Sequence, residues 1–266
     1  MTAQAIDTEF YIAVDNLEVL TSGDYAGLPN PNYGRLTFLF AHPNDADPST
    51  NHFHAIGAYS YTGPVDNPMV ISTNSNNRIP EIFTGALPLR LLPGTGIYAG
   101  KLISQDTGEE YSHLNITSVQ ALSGFPSDSP EGFLFHSSSD RWSAPLTGAV
   151  VALQLVSITP TFHVADDAGN RVFASPAQHQ LGEGNSLTFF PTFWTEAGTP
   201  DGTYSVTFKL VDVRTDVYQL EGDRIGPYWG SFLGPEGRKK RQAIALAKLM
   251  VSMTGKDTIA CVIRNM

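Results

Sequence analysis

A chain of 266 residues, 41% of them hydrophobic, has enough apolar material for a real core, built as one large domain or two smaller ones. Its net charge of −10 is unevenly spread: residues 234–266 hold seven of the 16 basic side chains and two acids, leaving 9 basic against 24 acidic groups in residues 1–233. An acidic body argues against nucleic acid as a partner, because a phosphate-binding face needs basic residues, and a single cysteine, Cys261, excludes an intrachain disulfide, a Cys-rich zinc site and an iron–sulfur cluster.

The opening residues, Met1 to Asp7, lack the basic start and apolar centre of a secretory signal, and the chain has no apolar run of about 18 residues for a membrane-spanning helix. That leaves a cytoplasmic protein or one whose chain begins after its signal. Residues 35–42 are the first strong strand, with Leu36, Phe38, Phe40 and His42 on one parity. A turn through Asp45-Ala46-Asp47-Pro48 then leads to Asn51-His52-Phe53-His54-Ala55-Ile56. In a strand, positions i and i+2 point the same way, so His52 and His54 project from one face about 6 to 7 Å apart at the backbone. Two imidazoles so placed are half of a metal site, and a hairpin brings His42 beside them. His113 and His136 are candidates for the missing ligand from neighbouring strands. Each has a plainer reading as a hydrogen-bonding side chain, His136 at the edge of the core.

Residues 149–156, 187–190 and 203–211 are further β-rich runs, and Tyr204, Val206, Phe208 and Leu210 form one apolar face of the last. Turn clusters at 30–34, 92–96, 166–170 and 198–202 separate them. Many short strands with polar turns predict an all-β fold: one or two antiparallel β-sandwich domains. The expected division is a domain over 1–157, a smaller one over 158–233 and a tail over 234–266. In the second, His163, His179 and Glu183 suggest a weaker metal site, with a loop reading favoured over it.

The tail differs. Leu246, Leu249, Met250 and Met253 recur at helical spacing beside Lys239, Lys240, Arg241 and Lys248, which predicts a short basic amphipathic helix, docked on its own domain or touching a membrane. The aromatics Tyr59, Tyr61, Trp142, Trp194, Tyr228 and Trp229 are read as sandwich core in preference to a glycan platform. No Gly-x-Ser-x-Gly, His-Glu-x-x-His, P-loop or dinucleotide fingerprint is present, so nothing singles out an enzyme. A His-only zinc site with an open position can still activate water, which keeps a zinc-dependent hydrolase as a third reading.

The run from Asn51 to Pro64, with Asn74-Ser75-Asn76-Asn77-Arg78-Ile79-Pro80-Glu81 and Gly202-Thr203-Tyr204-Ser205-Val206-Thr207-Phe208, resembles the zinc-starvation-induced, PEP-CTERM-anchored proteins of cyanobacteria. The later part is similar to the histidine-bearing β-sandwich repeat of bacterial surface-anchored proteins. The resemblance covers roughly residues 9–233. It implies an extracytoplasmic protein, in the periplasm or at the cell surface, under zinc-dependent repression. It also implies Zn2+ as the ion and a binder or metallochaperone, not an enzyme. The family ends in a Val-Pro-Glu-Pro motif, a hydrophobic helix and a basic stop; here Gly234-Pro235-Glu236-Gly237 keeps a Pro-Glu pair without the hydrophobic span. One hypothesis for that departure is a frameshift just after Pro235-Glu236, which would replace the anchor with an unrelated reading frame. The expectation is therefore a protein that binds zinc through His52 and His54 with His42 and His113 or His136, buffering the ion or passing it to an acceptor metalloprotein. The competing class is a structural or adhesive β-sandwich protein with incidental histidines.

Overall fold

The computed structural model describes residues 10–56, 59–72, 90–107, 112–174, 177–213, 246–253 and 259–264. They form strands β1 (Phe10–Val14), β2 (Leu36–His42), β3 (His52–Ile56), β4 (Tyr59–Thr62), β5 (Met69–Ser72), β6 (Leu91–Pro93), β7 (Lys101–Ser104), β8 (Ile116–Ser118) and β9 (Val150–Ile158). After these come β10 (His163–Ala165), β11 (Arg171–Val172), β12 (Gln178–Glu183), β13 (Thr188–Phe189), β14 (Thr192–Glu196), β15 (Thr203–Asp212), β16 (Leu246–Met253) and β17 (Ile259–Arg264), with a short helix α1 (Pro130–Phe135) between β8 and β9. The fold is all-β, with the strands expected near 35–42, 149–156, 187–190 and 203–211 in place.

Three five-stranded sheets result, ordered β13-β8-β1-β2-β3, β11-β10-β14-β7-β6 and β12-β9-β15-β16-β17, while β4 and β5 pair as a separate hairpin. The first sheet positions the site. Its central strands β1 and β2 are near-continuous apolar runs, the pattern of strands covered on both faces. On one face Phe10, Ile12 and Val14 of β1 and Leu36, Phe38 and Phe40 of β2 enter the main core, with Leu153 of β9 and Val206, Phe208 and Leu210 of β15. On the other, Tyr11, Ala13, Leu39, Ala41 and Phe53 pack under Leu134 and Phe135 of α1 and Trp142. Ser129 caps α1, its hydroxyl accepting from the Gly132 N–H at 3.0 Å, and Pro130 starts the first turn.

The buried Asp15, just past β1, ties this second layer down. Arg141 grips it in bidentate fashion, Nε to Oδ1 at 3.0 Å and Nη2 to Oδ2 at 2.5 Å, while the Leu17 N–H donates to Oδ1 at 3.1 Å. Arg141 follows a tight turn in which Ser138, Ser139 and Asp140 have φ of 53°, 57° and 61°, left-handed values that non-glycine residues rarely adopt.

β9, which ends at Ile158 beside the expected boundary near Ser157–Pro160, pairs across it with both β12 and β15. β13 completes the first sheet beside β8, and β14 joins β7 to β10. One core therefore collects side chains from Phe10 through Leu210. The amphipathic helix expected in the tail is not formed at Leu246–Met253, which is β16, antiparallel to β15 and followed by β17. A short apolar run fits either period, and the open edge of β15 offers unpaired backbone groups that a strand can satisfy. Residues 236–245 of that expected helix, and Gly234–Glu236, lie outside the described residues, as do Tyr228 and Trp229.

Candidate metal centre

The β2–β3 hairpin brings three histidines to one face. Its register pairs His42 with His52 and Phe40 with His54. Phe53 turns to the opposite face, under α1. The three imidazoles thus prolong the apolar row Leu36, Phe38, Phe40 beyond the rim of the main core, at the edge of the sheet. His42 Nδ1 and His54 Nε2 are 3.1 Å apart. Ring centroids lie 5.0 Å apart for His42 and His52, 5.2 Å for His42 and His54, and 4.8 Å for His52 and His54.

One donor nitrogen from each of the three lies within 4.8 Å of the other two. Tetrahedral zinc with Zn–N bonds of 2.0–2.1 Å needs its nitrogens about 3.3 Å apart. The His42–His54 pair already meets that spacing, and the remaining adjustment is within the reach of imidazole rotation about χ1 and χ2. The residues fit a transition metal with nitrogen preference. Imidazole suits zinc, copper and nickel alike, so the donor set by itself does not select among them.

The Thr50 carbonyl can only accept, so His52 Nδ1, 2.9 Å away, donates to it, and the lone pair is left on Nε2. His54 sits beside the core opposite Phe40, and burial first, then the neighbouring His52 and His42, lower its pKa to about 4. It is therefore neutral near pH 7, with a lone pair that a metal ion could use.

The loop is fastened from below. A 3-10 turn, Pro48–Thr50, ends at the buried Asn51, whose Oδ1 accepts from the Asn44 N–H at 2.7 Å and whose Nδ2 donates to the Pro130 carbonyl of α1 at 3.0 Å. Asn44 Oδ1 in turn accepts from the N–H groups of Ala46 and Asp47 at 3.1 and 3.2 Å. Residues Pro43 to Ala46, with Thr50, frame an open hollow of about 450 Å3 against His42 and His52.

No family model, curated protein or solved structure matches this chain.

The other histidines go elsewhere. His113 Nε2 is 2.5 Å from Asp106, and His136 Nδ1 is 2.6 Å from Asp140. Neither joins the three-histidine group, and no further ligand group of three occurs among the described residues. The second site expected at His163, His179 and Glu183 does not assemble. His163, on β10, lies 4.2 Å from the Trp194 ring, while His179, on β12 of another sheet, lies 4.7 Å from Phe189. Burial lowers the pKa of both.

Among the aromatics, Trp142 and Trp194 are buried, as the core reading expects. Tyr59 and Tyr61 are half-buried; the Arg35 guanidinium lies 4.9 Å from the Tyr59 ring, and Tyr61 donates to the Pro29 carbonyl. What the sequence did not single out is the support: Thr50, Asn51 and Asn44. Their only sequence signal is a cluster of turn-forming residues between two strands. Among the described residues no helix is long and apolar enough to cross a membrane.

Proposed function

We propose that this protein binds one zinc ion per chain through His42, His52 and His54, and buffers or delivers it outside the cytoplasm without catalysing a reaction. The observation that carries the reading is the convergence of three imidazole nitrogens within 4.8 Å on one sheet face, in a chain with seven histidines in all. Three imidazoles on one hydrogen-bonded hairpin need little reorganisation to take up a metal, and the supporting Thr50 and Asn51 contacts are of the kind that orient ligands. Zinc, the extracytoplasmic location and an acceptor metalloprotein come from the resemblance, not from the donor set.

The experiment is zinc content and competitive zinc titration of the purified protein beside a His52→Ala/His54→Ala double variant. One tightly held ion per chain, lost in the variant, is expected. Weak binding, or binding indifferent to both substitutions, overturns the reading. It then leaves the adhesive alternative, which the exposed Val65, Met69 and Ile71 around the β4–β5 hairpin favour.

A further inference from the structure

Three histidines supply three of the four donors that zinc prefers, and the described residues place no fourth His, Cys or carboxylate in the group. The hollow framed by residues Pro43 to Ala46 and Thr50 borders two of the three ligands, His42 and His52. Its volume of about 450 Å3 far exceeds the ~30 Å3 that one water occupies. The Asn44 and Asn51 hydrogen bonds hold the loop, so the hollow exists before any ligand arrives. The exposed Asp45 brings a negative charge to its wall.

We infer that an ion held by His42, His52 and His54 keeps its fourth position open toward this hollow, where it accepts a neutral nitrogen donor, the imidazole of an acceptor protein. The inference rests on the reading of the three histidines as a metal site and deepens it. At rest the position holds water. An incoming imidazole donates its lone pair to the metal, and the water leaves intact with both its protons. The acceptor thereby gains a hold on the ion before any histidine of this chain lets go, and the ion is never bare. Asp45 gives the entrance its preference: its carboxylate disfavours anionic donors and leaves neutral ones unaffected.

The test uses the full chain loaded with Co2+, whose visible bands report coordination number, titrated separately with imidazole and with azide, beside Asp45→Asn. Saturable spectral changes are expected with both ligands. In Asp45→Asn azide binds about threefold tighter or more, with imidazole within about twofold of its former affinity. A spectrum unmoved by either ligand means a filled coordination shell and overturns the inference. Azide affinity unchanged by Asp45→Asn overturns the assignment of the open position to the hollow. Failure of Co2+ to bind at all, before any ligand is added, removes the three-histidine site itself, so the two failures are told apart.

Discussion

Metal and proton compete for the same lone pairs, and the geometry fixes how many protons enter that competition. An ordinary imidazole, with a pKa of 6.5, is about nine-tenths protonated at pH 5.5, and displacing that proton weakens metal binding about tenfold, or roughly 1.4 kcal/mol. His54 escapes this penalty, because burial and its two histidine neighbours lower its pKa to about 4. Between pH 5.5 and 7.5 it is already neutral and releases nothing when zinc arrives. Zinc uptake is therefore expected to release no more than two protons per ion, measured by calorimetric titration at pH 5.5 in two buffers of different ionisation enthalpy. A count approaching three would refute the reasoning, since His54 would then be charged in the free protein. The same shift sets the sign for the metal-free fold. The unfolded chain takes up the His54 proton first, so stability is full above about pH 6.5, falls as pH drops toward about 4, and levels off below. The displacement corresponds to at most about 3 kcal/mol, and the partial exposure of His54 brings it to about 1 kcal/mol.

Asn51→Ala removes the two hydrogen bonds that join the loop to Asn44 and α1, and is expected to lower stability by about 2 kcal/mol and zinc affinity at least about tenfold; urea unfolding and competitive titration read the two effects separately. Asp15→Ala leaves the Arg141 guanidinium without its carboxylate beneath Trp142, and a loss of about 3–5 kcal/mol is expected in the same urea experiment. A loss below about 1 kcal/mol would mean the pair is not a fastening point. His113→Ala and His136→Ala, tested by competitive titration, are expected to leave zinc stoichiometry unchanged and affinity within about twofold, because each ring is engaged with a carboxylate away from the group.

The three-histidine face was readable in the sequence because everything that assembles it is local. The two-residue period places His52 with His54, the parity of Leu36, Phe38 and Phe40 carries through to His42, and the antiparallel pairing of β2 with β3 sets His42 opposite His52. His113 and His136 were offered as partners on the strength of residue type alone, and their true partners, Asp106 and Asp140, lie seven and four residues away in loops whose path no periodicity encodes. Domain organisation was not legible for the opposite reason. The pairing of β8 with β13 and of β7 with β14 joins segments some 70 to 90 residues apart, and such contacts leave no trace in a local pattern. In the tail, Leu246 to Met253 satisfies helical and extended spacing alike, so the neighbouring edge of β15 decided the outcome.

The shared core has a consequence for synthesis. When β1, β2 and β3 leave the ribosome, their partners across the core, β9 and β15, have yet to be made, and β8 waits for β13. Non-local pairing of this kind slows folding into the millisecond-to-second range. Until then Phe10, Phe38 and Phe40 stand uncovered, a nascent apolar surface of the sort that holdase chaperones recognise.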